Sequence, residues 1–132
     1  MTLTVPRPAT APDAPTEPLR SLLPWWIGCS LLAVALRLPF IGVPLGIDEG
    51  GDAFVARAWD AGEGSIYGGQ WLDRPPLLVM LYRLGVPGGT LGIRGLGMVA
   101  AALVIAGTMI IAHRIAGSRA ARLTGVIAAV MT

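Results

Sequence analysis

Eighteen consecutive residues without a charge, Gly95 to Ala112, constrain this chain more than any other feature. Arg94 closes the run on one side and His113-Arg114 on the other. At 1.5 Å per residue such a helix approaches the hydrocarbon thickness of a bilayer, about 30 Å. Gly95, Gly97, Gly107 and the many alanines suit close helix packing within a bundle more than full exposure to lipid. A second apolar stretch lies upstream. Ser21 to Leu36 is 16 residues without a charge, and the run resumes beyond Arg37 through Leu38, Pro39, Phe40 and Ile41. Arg20 and Trp25-Trp26 mark its start, and Arg37 has a stem long enough to snorkel to the headgroups at its end.

Composition agrees with a membrane chain. Hydrophobic residues make up 54% and charged residues 14%, against about a quarter charged in soluble domains, and the mean hydropathy is +0.66. The net charge of +2 comes from ten Arg and no Lys. These arginines are scattered, with no basic stripe and interleaved aromatics, so nucleic acid is not an expected partner. A single cysteine, Cys29, excludes an intramolecular disulfide and stands as a small apolar residue within the first run.

The fold class that follows is an all-α membrane protein with two full transmembrane helices and a truncated third. Residues 1–20, with five prolines between Pro6 and Pro18, form a disordered cytoplasmic tail. Residues 21–42 are the first span. Ala33-Val34-Ala35 has the form of a signal-peptide cleavage site, but the long, Pro-rich and charge-balanced leader favours a retained anchor. Residues 43–94 form an extracytoplasmic loop carrying two short amphipathic, interfacial helices, at about 52–61 and 75–84. In the first, Asp52 is the expected N-cap, with Phe54, Val55, Ala58 and Trp59 on the apolar face. In the second, Pro75-Pro76 opens the first turn close to Asp73. Residues 95–113 are the second span and 114–122 a basic cytoplasmic loop with Arg114, Arg119 and Arg122. Residues 123–132 begin a third span that the sequence does not complete, as expected of a fragment or a truncated reading frame. Arginines before the first span and after the second place both flanks in the cytoplasm and the loop outside, in a multi-pass protein of the plasma membrane.

That loop holds six of the eight acidic residues: Asp48, Glu49, Asp52, Asp60, Glu63 and Asp73. Asp48-Glu49 directly follows the first span, and Arg74-Pro75-Pro76 leads into the second amphipathic helix. This arrangement resembles the first extracytoplasmic loop of membrane glycosyltransferases that use a polyprenyl-phosphate sugar as donor. The protein O-mannosyltransferase and aminoarabinose-transferase branches are nearest, and the likeness extends from about Leu22 to the C-terminus. The resemblance implies a transfer of sugar from the lipid donor to an acceptor hydroxyl outside the cell. It puts Asp48 in the role of base or metal-linked carboxylate and Arg74 on the phosphate of the lipid carrier. A divalent cation, Mg or Mn, is the cofactor it allows. Where the family usually has an aromatic residue after the acidic pair, this chain has Gly50-Gly51-Asp52, which leaves the acceptor type open.

The chemistry asks for the same residue types. An attacking hydroxyl must lose a proton to a carboxylate within hydrogen-bond reach, and a leaving phosphate needs its charge balanced by a cation. Glu49 either assists Asp48 or shapes the turn. Tyr67 and Trp71 either line a sugar or lipid groove or anchor the interface. Asp52, Asp60 and Glu63 are expected to be helix caps or solvated charges, and His113 an interfacial residue. With two complete spans, these residues alone are expected to show no transferase activity. Two other classes compete. A small non-catalytic membrane protein would use the acidic loop as a docking surface. A transporter would carry ionisable residues within its spans, where only Arg37 stands here, near an end.

Overall fold

The computed structural model describes residues 17–60 and 74–132, and all regular structure among them is helical. Helix α1 spans Leu23–Arg37, with a 3-10 turn on each side (Leu19–Leu22 and Leu38–Phe40). Helix α2 spans Ile47–Asp60, α3 Pro76–Gly85, and α4 Gly89–Met131, broken once at Gly117. Two stretches, Leu19–Phe40 and Pro76–Met131, are long and apolar enough to cross a membrane.

The break at Gly117 revises the expected end of the chain. Gly117 has φ 80° and ψ −176°, a region open essentially to glycine alone. The backbone reverses there, so residues 114–122 are not a loop but the two helical ends of a hairpin. Residues 118–131 then run back along the first arm, starting five residues before the expected third span. Ala121 and Ala129 are buried in one cluster with Met109, Ile105, Cys29 and Ala33. Small residues make this seat. A Cβ on Gly125 would stand 2.7 Å from Met109 Sδ and 3.2 Å from Cys29 Sγ. The result is three packed helical rods: α1 and the two arms of α4. The first arm, residues 89–116, begins six residues before the charge-free run, because Gly89 at φ 61° starts a helix that Thr90 to Arg94 can continue. Its 28 residues are about 42 Å long.

Trp26 does not simply flank the interface. Its indole N–H donates to the carbonyl of Ala102 at 2.9 Å, tying α1 to α4. The outer surface of the rods is apolar: Leu31, Leu103, Ile111, Leu123, Ile127 and Val130 are all exposed.

Helices α2 and α3 form a second layer at one end. Val55 and Ala56 of α2 bury against Val79 of α3, with Trp59, Tyr82 and Val86 around them. Helix α3 in turn lies directly on α4, where a Cβ on Gly92 would run into the carbonyl oxygen of Gly85. Two details of the expected α2 are corrected. The helix starts at Ile47, so Asp52 is not its N-cap but an interior residue, 7% exposed. Phe54 points outward while Ala53, Val55 and Ala56 are buried, which turns the apolar face from the expected one.

Candidate functional site

Why α2 begins at Ile47 is visible in its first turn. The Glu49 carboxylate accepts the backbone N–H of Gly46 at 3.2 Å, half of a capping box. Asp48 and Glu49 then sit in a first turn that favours negative charge. They point to different partners. Glu49 pairs with Arg94 at 2.8 Å, a contact that joins α2 to the start of α4. Asp48 is 85% exposed and stands 3.9 Å from Arg74.

Arg74 is 26 residues further along the sequence than Asp48. Packing of α3 on α2 through Val55, Ala56 and Val79 carries the start of α3 back to the start of α2. The two groups thus meet as an ion pair longer than a hydrogen bond, open to solvent on both sides. Tyr67 and Trp71 lie outside the described residues, as do Glu63 and Asp73.

Beneath the acidic pair is a cavity of about 390 Å³ between the ends of α1, α3 and α4. Its polar lining comes from Arg37, Glu49, Tyr82, Arg94 and Thr132, and its walls from apolar residues such as Leu78, Leu81 and Met98. Arg37 donates one Nη1–H to the carbonyl of Ala33 at 2.8 Å. The Nε of Arg94 is buried without a partner. Asp48 and Arg74 are not part of this lining.

Arg37, Arg94 and Tyr82 escaped the sequence-based site. The two arginines look like separate flanks of separate spans. In antiparallel spans, however, the end of one and the start of the next share a level, and that signal was available to pair them.

A divalent cation is the cofactor that the resemblance allows. Such ions take several oxygen ligands, and among the described residues no three His, Cys, Asp or Glu side chains gather. Asp48 has a guanidinium beside it, and Glu49 is held by another. No step below is routed through a metal. Comparison with protein-family models, curated proteins and solved structures finds no match to this chain.

Proposed function

We propose that this chain belongs to a membrane-embedded glycosyltransferase that moves a sugar from a polyprenyl-phosphate donor to an acceptor hydroxyl outside the cell. The observation that carries the reading is the meeting of Asp48 with Arg74 at 3.9 Å. They meet at the end of an apolar helical hairpin, where a lipid phosphate would lie. The exposed apolar belt of the rods supports their placement across the bilayer, and the arginine distribution supports an N-terminus inside and residues 43–94 outside.

In this reading the acceptor hydroxyl gives its proton to the Asp48 carboxylate as its oxygen attacks the anomeric carbon. The bond from that carbon to the phosphate oxygen breaks, and the lipid phosphate leaves with the electron pair. Arg74 balances the charge that develops on it. Glu49 positions the turn, through Gly46 and Arg94, and does not take the proton.

The test is transfer of labelled sugar from a polyprenyl-phosphate donor in membranes of the source cells. Asp48→Asn, replacing the resident copy, removes basicity at constant size and should lower transfer by about 10²-fold or more. Arg57→Gln, an exposed change on the same helix, should alter it by less than about twofold. Equal, mild effects at both positions, in correctly inserted protein, would leave the loop as a docking surface and end the catalytic reading.

A further inference from the structure

The cavity beneath Glu49 has a chemistry of its own. The side chains of Arg37, Arg94 and Glu49 line it, a side-chain charge of +1, together with Tyr82 and Thr132. Arg94 Nε is buried with no acceptor among the protein's atoms, and an incoming oxygen would satisfy it. Arg37 uses one donor on its own helix and lines the cavity with donors to spare. Paired guanidiniums of this kind match the oxygens of a phosphate. The remaining wall, including Leu81 and Met98, is apolar and opens at the level where the two apolar stretches end.

We propose that this cavity binds the phosphate headgroup of an anionic membrane lipid, with Arg37 and Arg94 on the phosphate and Leu81 and Met98 against the first methylenes. A free phosphate would satisfy the arginines but leave the apolar wall uncovered, which favours the lipid. The site is separate from the Asp48–Arg74 pair. It rests on the membrane placement given above but not on glycosyl transfer.

The experiment reads binding without any sugar. The full chain is placed in phosphatidylcholine nanodiscs containing phosphatidic acid, and retained lipid is counted by native mass spectrometry. One phosphatidic acid per chain should be retained, and millimolar inorganic phosphate should not displace it. Arg37→Gln should lower retention by about tenfold, the loss of one charge-assisted contact. The double change Glu49→Gln with Arg94→Gln, which strands no lone charge, should do the same. Leu81→Trp fills the cavity, leaves its charges in place and should also abolish retention. Arg20→Gln and Arg114→Gln, at the opposite end of the rods, should have no effect. No retention by the native chain, equal losses at all four arginines, retention surviving Leu81→Trp, or displacement by inorganic phosphate would each overturn the lipid site. Loss of transfer at Asp48→Asn bears only on the catalytic reading, so the two failures are distinguishable.

Discussion

Single residues at the α2–α3 end divide their work by where packing leaves them. Glu49 and Asp48 are neighbours, yet one caps α2 and holds Arg94 while the other faces solvent near Arg74. The Glu49–Arg94 pair is partly shielded, with about a third and a quarter of the two side chains exposed, so it lies between surface and buried pairs in value. Glu49→Gln keeps an acceptor for Gly46 but removes the ion pair. It should cost about 1 kcal/mol and speed amide exchange in α2 about fivefold, measured by hydrogen exchange. At the opposite end, Glu17 accepts from Arg122 at 2.9 Å, and Arg122 lies over Trp25. A hydrogen bond from Ser118, with the Arg122 charge assisting against some desolvation, holds the Glu17 carboxyl below its ordinary 4.5. A lowered value means that the contact stabilises fully above pH 4.5 and is lost as pH falls through the folded-state value. Carbon NMR of the glutamate carboxyls should therefore place the Glu17 midpoint below 4.5, and Ser118→Ala should move it up. A native midpoint at or above 4.5 would contradict this contact.

Among the elements, the apolar runs were legible because a charge-free stretch of bilayer length has few other fates, and Gly, Pro and acidic clusters marked where they end. The hairpin at Gly117 was not legible. Three arginines over nine residues look like a loop, but a single glycine can reverse the chain and let both flanks stay helical. Periodicity also misplaced α2, because its start is set by the Glu49 cap and its buried face by Val79, a residue on another helix. Of the site, Asp48 and Arg74 were singled out by a resemblance, but their meeting came from the packing of α3 on α2, and Arg94 and Arg37 needed the antiparallel register. Two changes test the hairpin as an element. Gly117→Ala forces a side chain into a glycine conformation and should destabilise the reversal by about 1–3 kcal/mol. Gly125→Leu should push the returning arm off Met109 and Cys29. Cys29, 4% exposed in the native chain, should then react with N-ethylmaleimide in detergent about tenfold faster or more, an opening of about 1.4 kcal/mol. Unchanged reactivity at Cys29 would mean the arm does not rest there.

For the whole molecule, the decisive question is which end faces which side, and charge and packing bear on it from different directions. The reversal at Gly117 gathers Arg114, Arg119 and Arg122 with Glu17 and Trp25 at one end of the rods. The acidic first turn of α2, Arg74 and the cavity lie at the other. Cytoplasmic loops carry the excess of arginine, and the proposed reading puts the Gly117 end inside and the α2–α3 layer outside. Two exposed positions report on the arrangement. Ile47, 95% exposed beside Asp48, and Ile115, 79% exposed beside Gly117, lie at opposite ends. With Cys29→Ser as background, Ile47→Cys should be labelled in intact cells by a membrane-impermeant maleimide, and Ile115→Cys only after the membrane is opened. Labelling at 115 with none at 47 would invert the molecule and remove Asp48 and Arg74 from any external chemistry. Labelling at both in intact cells would mean the rods do not cross a bilayer, and the proposed transfer and the lipid cavity would fall together.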